Sequence, residues 1–229
     1  MILAAGRGER MRPLTDNMPK PLLPVVDKPL IQHHIERLAR AGIREIVINL
    51  AWKGAMIREA LRTGAQFGVD IVYSDEGDRA LETGGGIFNA LPLLGIEPFL
   101  IVNGDVWTDF PFEKLIARFE HCALGRAGSD LAHLVLVPNP PQHALGDFSL
   151  SNERVLERRE SSLTYSGIGV YSAEFFDGCP AGPFKLLGLL MSAIKAGRLS
   201  GERYAGQWFD IGTPQRLGEL DAQLRARRT

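Results

Sequence analysis

MILAAGRGERMRPLTDNMPKPLLPV, residues 1–25, is the stretch that decides how this chain is read. Residues 1–5 form a short apolar run that stops at a glycine, the pattern of a buried parallel strand. Gly6 and Gly8 then stand among Arg7, Arg10 and Arg12, and Lys20 follows between Pro19 and Pro21. Like charges this close repel unless an anion joins them. A glycine-rich turn after the first strand of a parallel sheet points to phosphate binding, because bare backbone lets an anion lie close. Two familiar versions of such a turn do not fit. The dinucleotide fingerprint needs a third glycine where Met11 stands, and the P-loop needs a Gly-Lys-Ser/Thr ending that is absent. What remains is a loop, residues 6–12, that projects guanidinium groups from bare backbone, followed by a proline-stiffened segment that carries Lys20.

Outward from this loop the first half alternates in period. Residues 30–41 place Leu30, Ile31, His34, Ile35, Leu38 and Ala41 on one helical face, with Gly42 as the stop. Residues 45–50 read as a strand, 56–61 as helix and 70–73 as strand. Thr83 is expected to cap a helix that runs through Leu91, and a strand at 98–102 ends in Asn103-Gly104-Asp105. Strand and helix in alternation imply right-handed crossovers and a parallel sheet. After a helix at 112–121 the texture changes. Short strands at 131–137, 147–150, 154–156 and 165–171 suggest a mixed or antiparallel extension, and 185–196 and 214–227 read as amphipathic helices. The expected fold is α/β, Rossmann-like, with a mixed, mainly parallel sheet flanked by helices and a β-rich second half. One domain of 229 residues is expected, with halves at 1–110 and 111–229.

Composition narrows the class of partner. Apolar residues make up 45%, charged residues 23%, and the formal net charge is −1. That balance excludes a nucleic-acid coat or a membrane-surface protein, so the basic loop needs a local explanation. No run approaches the ~18 apolar residues of a membrane span, and no leader pattern opens the chain. Cys122 and Cys179 are far apart; they either pair or, as expected in a reducing cytoplasm, remain free thiols.

The opening string resembles, nearly residue for residue, the signature of the sugar-nucleotide pyrophosphorylases: Leu-Ala-Ala-Gly-x-Gly-x-Arg-Leu/Met-x-Pro-Leu-Thr, then Pro-Lys-Pro-Leu-Leu-Pro-Val. Later segments agree in order. Leu81-Glu82-Thr83-Gly84-Gly85-Gly86 is similar to the family's base-bordering stretch, Val102-Asn103-Gly104-Asp105 to its Gly-Asp metal motif, and Trp208-Phe209-Asp210-Ile211-Gly212-Thr213 to its Trp-x-Asp-x-Gly-Thr segment. The resemblance covers residues 1–224. It implies a glycosyltransferase-A-like fold and Mg²⁺-dependent transfer of a nucleotidyl group from a nucleoside triphosphate to a sugar 1-phosphate. Arg10 and Lys20 become the catalytic pair, and Asp105 and Asp210 the metal ligands. The nucleotide is expected at Leu3, Ala4, Ala5, Gly6, Gly8, Glu9, Arg10, Lys20, Thr83, Gly84, Gly85 and Asn103. Arg7 and Arg12 either assist or face water.

The sugar phosphate is expected at Gly146, Asp147, Tyr165, Ser166, Gly167 and Lys185. The chain departs from the family between these positions: the usual Glu-Lys-Pro is missing, and Arg-Val-Leu-Glu-Arg-Arg-Glu-Ser-Ser stands at 154–162. Glu157 and Glu160 are either substitutes for it or solvated charges. A lone lysine at a helix start opposes the helix dipole, so Lys185 suits a charged substrate. The resemblance implies UTP and N-acetylmuramate 1-phosphate as the favoured reactants, in cell-wall recycling. Alternatives are mannose 1-phosphate with GTP, glucose 1-phosphate with dTTP or UTP, or, in a different class, a non-catalytic nucleotide sensor. A cytoplasmic monomer or small homo-oligomer is expected, since the chain carries neither a C-terminal hexapeptide solenoid nor the helical tail of tetrameric relatives.

Overall fold

The computed structural model describes residues 1–77, 80–121, 124 and 129–227. Its strands, in chain order, are β1 Ile2–Leu3, β2 Pro24–Val25, β3 Lys28–Pro29, β4 Glu45–Leu50, β5 Asp70–Asp75, β6 Phe99–Asn103, β7 Val106–Thr108, β8 Ala132–Val137, β9 Ser149–Ser151, β10 Arg154–Leu156, β11 Thr164–Tyr171, β12 Leu199–Arg203 and β13 Trp208–Asp210. The α-helices are α1 Leu14–Asn17, α2 Leu30–Arg40, α3 Gly54–Leu61, α4 Glu82–Leu94, α5 Phe112–His121, α6 Leu186–Lys195 and α7 Pro214–Ala226. The chain divides into two compact units. One comprises residues 1–80, 103–112 and 208–229, the other 81–102 and 113–207.

In the first unit β4 pairs in parallel with β1 (Ile2↔Ile48) and with β5 (Glu45↔Asp70 through Leu50↔Asp75). Both faces of β4 are buried, so it reads as an unbroken apolar run rather than an alternation. The exception is Asn49, which the site below explains. Two short antiparallel pairs complete this unit, β2 with β3 and β7 with β13. One apolar cluster knits these segments together: Met11, Leu23, Val25, Val26, Leu30, Trp107, Ile211, Leu217 and Leu220. Met11 is 1% exposed within it. The residue that breaks the dinucleotide fingerprint is thus a core side chain, whose burial stabilises the loop's far end by roughly 1.5–3 kcal/mol.

The second unit carries the order β6-β11-β8-β12-β10-β9. Only β8 and β12 run parallel there; every other pairing is antiparallel. This is the β-rich extension expected from sequence. Tyr171, Phe175, Phe176 and Phe99 stack edge and face at one end of it. A bulge interrupts β11 between Tyr165 and Ile168, with Gly167 at φ +79°.

One expectation needs correction. Thr83 does not cap α4: Leu81 is the N-cap, no side chain bonds there, and Thr83 lies inside the first turn. Backbone from another segment does the capping instead, Phe184 N–H to Leu81 O at 3.2 Å and Gly85 N–H to Phe184 O at 3.1 Å. The segment at 208–210, read as a motif, is a strand (β13), and its partner β7 follows directly on the Gly104-Asp105 turn. Cys179 is a free thiol, and Cys122 lies outside the described residues.

Candidate active site

Gly8 sits at φ +67°, the left-handed region that suits glycine. A Cβ there would come within 3.1 Å of Thr15 Cγ2 and 3.2 Å of Lys20 Cβ. The loop therefore packs directly on the lysine segment, and Thr15 Oγ1 donates back to Gly8 O at 2.9 Å. A Cβ at Gly6 would meet nothing within 4 Å, so bare backbone faces open space there. The loop's start is fixed from β4. Buried Asn49 accepts from Ala4 N–H at 2.8 Å and donates to Glu76 Oε1 at 2.6 Å. Asn49 is absent from the sequence expectations; its signal is one amide inside the buried apolar run at 46–50. Leu3 is half-buried, Ala4 and Ala5 are buried, and Glu9 is exposed.

The loop's cations have separate fates. The Arg7 guanidinium lies over the Trp52 ring, 4.6 Å from its centroid, and its Nε is 4.0 Å from Glu9. Arg12 pairs with Asp16 at 3.1 Å on the surface. Arg10 alone among these three has no carboxylate partner among the described residues. Its Nη1 lies 3.2 Å from where a Cβ of Gly212 would sit. Lys20 is 6% exposed, and its ammonium donates to Asp105 Oδ2 at 2.9 Å.

The two aspartates, far apart in sequence, are neighbours on one ribbon. The register sets Asp210 opposite Val106, one residue from Asp105, and Ile211 N–H donates to Asp105 O at 3.0 Å. His34 on α2 holds the same ribbon by donating from Nε2 to Val106 O at 2.7 Å. Burial pushes its pKa down to about 4, so the imidazole is neutral at physiological pH. Asp210 is held by Arg216, a residue absent from the sequence expectations, whose Nη1 also donates to Asp210 O at 3.1 Å. The first unit thus gathers Gly8, Arg10, Lys20, Asp105 and Asp210; Asn103 ends the strand that leads into the Asp105 turn.

Among the described residues no group of three or more His, Cys, Asp or Glu could hold a metal. Two carboxylates without such a cage fit a hard divalent cation that keeps water and takes phosphate oxygens as its remaining ligands. Softer or all-protein sites need more donors than this.

Within the second unit, the glycines at 84 and 85 answer a close approach by residues 182–184. A Cβ on Gly85 would fall 2.3 Å from Gly182 O, and one on Gly84 2.5 Å from the Phe184 ring. Lys185 stands at the N-cap position of α6 directly beside this contact, with no side-chain cap bond. Asp147 is fixed twice, by His143 Nε2 at 2.9 Å and by Tyr165 N–H at 2.8 Å. Gly146, at φ +62°, would clash through a Cβ with Asn139 and Leu163 O. The Tyr165 hydroxyl bonds Tyr171 at 2.8 Å, and burial raises its pKa. Ser166 is fully buried, its hydroxyl donating to Val135 O at 2.7 Å. These two hydroxyls are engaged inside the sheet, whereas Asp147 and the Gly146 turn are set by surrounding bonds. Glu157 and Glu160 are exposed, as solvated charges are.

Comparison with known proteins bears on the whole chain. The family model for nucleotidyl transferases matches residues 1–227. An N-acetylmuramate alpha-1-phosphate uridylyltransferase from Neisseria meningitidis is 52% identical over 226 residues, covering 97% of this chain and 96% of that protein. One from Caulobacter vibrioides is 34% identical and covers 98% and 96%. A mannose-1-phosphate guanylyltransferase catalytic subunit beta from Drosophila melanogaster is 29% identical, covering 94% of this chain but 59% of that longer protein. Among solved structures, a Bacillus anthracis protein assigned as a glucose-1-phosphate thymidylyltransferase superposes with a TM-score of 0.85 at 24% identity, over 98% of this chain and 94% of that one. HddC from Yersinia pseudotuberculosis gives 0.79 at 20%, over 97% of each. At these identities the structures speak for the fold, a mixed α/β sheet flanked by helices. The chain belongs to the nucleotidyl transferase family and is a nucleotidyltransferase.

Proposed function

We propose that the chain transfers uridylyl from UTP to N-acetylmuramate 1-phosphate, releasing pyrophosphate and forming the UDP-sugar. The single observation behind the choice of reactants is the 52% identity, over nearly the full chain, to a protein named for that reaction. The reaction brings two anions together, so charge repulsion is the first obstacle. Arg10, free of any carboxylate among the described residues, and the buried Lys20 supply positive charge for the triphosphate and for the leaving pyrophosphate. Asp105 and Asp210 would hold Mg²⁺, which neutralises developing phosphate charge when bound. No general base is needed. The second pKa of a phosphate ester is near ~6, so the acceptor oxygen is already ionised at neutral pH. His34, neutral and buried, supports that reading by holding the ribbon rather than moving protons. Catalysis is then positioning plus charge neutralisation, with the sugar-phosphate oxygen attacking the α-phosphorus in line.

The sugar reading rests on residues of the second unit. Asp147 and the Gly146 turn are proposed to take sugar hydroxyls, Gly167 and the Tyr165–Ser166 backbone to line the same region, and Lys185 to meet the carboxylate of the lactyl group. Thr83, Gly84 and Gly85 are proposed to border the base. We place the enzyme in the cytoplasm as a monomer or small oligomer serving cell-wall recycling. Consistent with this, no helix among the described residues is long and apolar enough to cross a membrane. A pyrophosphate-release assay tests the proposal, with UTP, GTP, dTTP, ATP and CTP against N-acetylmuramate, N-acetylglucosamine, glucose and mannose 1-phosphates. Turnover confined to UTP with the muramate ester is expected. Preference for mannose 1-phosphate with GTP would overturn the reactant assignment.

A further inference from the structure

Arg216 stands where helix electrostatics disfavours it. It is the third residue of α7, and the first turn of a helix, with its exposed N–H groups, is a poor place for a cation. No acidic residue shares that turn, and Thr213 caps it by accepting Arg216 N–H at 3.3 Å. The guanidinium turns back along the chain to the Asp210 carboxylate and carbonyl. Both side chains are largely withdrawn from water, at 22% and 26% exposure, so the pair is screened less than a surface ion pair. Its Nη2 also lies 2.8 Å from where a Cβ of Gly212 would be, on the side where Arg10 approaches. Around one ribbon, then, three cations (Arg10, Lys20, Arg216) face two carboxylates. Each carboxylate already has a cation of its own.

We propose that Arg216 is the resident counter-cation of Asp210. It keeps that carboxylate aimed and neutralised while no divalent ion is bound, and Asp210 becomes a metal ligand only by releasing it. The proposal rests on the metal reading above. Its physical content is a competition. A free divalent cation must displace a bonded guanidinium from a cluster that already carries excess positive charge. A triphosphate changes the balance, because its negative charge offsets the incoming ion and gives the released guanidinium another anion to meet. Arg216 is therefore a positioning residue that makes divalent-ion affinity depend on the triphosphate.

The test measures Mn²⁺ binding to nucleotide-free protein by the loss of free-ion EPR signal. The Arg216→Gln variant is expected to bind Mn²⁺ at least about tenfold more tightly than the unsubstituted chain, as removal of one close cation implies. Arg216→Lys, which keeps the charge, should bind within about threefold of the unsubstituted chain. Adding Asp210→Asn to Arg216→Gln should abolish the gain. Equal or weaker binding in Arg216→Gln would overturn the counter-cation role. A gain that survives Asp210→Asn would instead overturn the metal reading beneath it. A readout in the unsubstituted protein needs no variant to fold: the Arg216 Nε–Hε resonance should move when Mg²⁺ and UTP are added together, while that of Arg225, paired with Asp27 and Asp221, stays. An Arg216 resonance unmoved at saturation would also overturn the proposal.

Discussion

At the scale of the residue, Lys20 and Asp105 carry opposite sides of one question. Lys20 is almost fully buried, and its ammonium donates to Asp105 at 2.9 Å. Asp105 is therefore both a proposed metal ligand and the anion that keeps a buried cation satisfied. Asp105→Ala removes both roles, and Asp105→Asn leaves an oxygen acceptor for the lysine. Turnover should fall by about 10³-fold in either variant, a loss of some 4 kcal/mol of transition-state stabilisation. Stability should separate them. An unsatisfied buried charge costs about 2 kcal/mol, which lowers the Tm of the alanine variant by about 4–8 °C in a chain of this size, whereas the asparagine variant should lose less. Calorimetry together with the pyrophosphate assay checks both halves; near-normal turnover in Asp105→Asn would remove it from the metal site. Asp105, Asp210, Arg10 and Lys20 were legible in the sequence because each belongs to a recognisable string. Arg216 and Asn49 were not. Each acts through long-range or backwards-reaching hydrogen bonds, whose partners a local pattern does not name.

At the scale of the element, the ribbon of β7 and β13 is held from α2 by His34. Burial lowers the His34 pKa to about 4, the Arg37 guanidinium and His33, when protonated, push the same way, and the bond to Val106 and the charge of Asp105 oppose them. A histidine depressed on folding binds fewer protons in the native chain than in the unfolded one. Its stability contribution is complete above pH ~6.5 and is lost as pH falls towards 4, about 3 kcal/mol in all at ~1.4 kcal/mol per pH unit. His34→Gln keeps an N–H donor for Val106 O and removes the titration. Between pH 7 and pH 5 the unsubstituted chain should therefore lose about 2 kcal/mol more than this variant in urea unfolding. Parallel losses would contradict a buried neutral His34. The helices at 30–40 and 112–121 and the strand at 45–50 were readable because their periodicity reports burial directly. β7 and β13 were not, being three residues each and specified by pairing with one another. The cap expected of Thr83 failed for a related reason: backbone at 184, a hundred residues away, satisfies the start of α4 in place of a side chain.

At the scale of the whole molecule, the change in texture after residue 121 foretold a parallel part and a mixed, largely antiparallel one. The compact units nevertheless do not follow the chain in simple halves. The segments 103–112 and 208–229 return to the unit that holds the opening loop. The reason is the apolar cluster in which Trp107, Ile211, Leu217 and Leu220 pack with Met11, Leu23, Val25, Val26 and Leu30. That packing places both aspartates beside the loop's cations, and it could not be read from a sequence in which they lie 105 positions apart. This gathering of cations and carboxylates is proposed to receive the triphosphate. A crystal structure of the protein with Mg²⁺ and a non-hydrolysable UTP analogue decides it. Phosphate oxygens are expected within about 3 Å of the Arg10 guanidinium and the Lys20 ammonium, with the ion on Asp105 and Asp210. A triphosphate bound elsewhere, with Lys20 still on Asp105 and Arg216 still on Asp210, would contradict it.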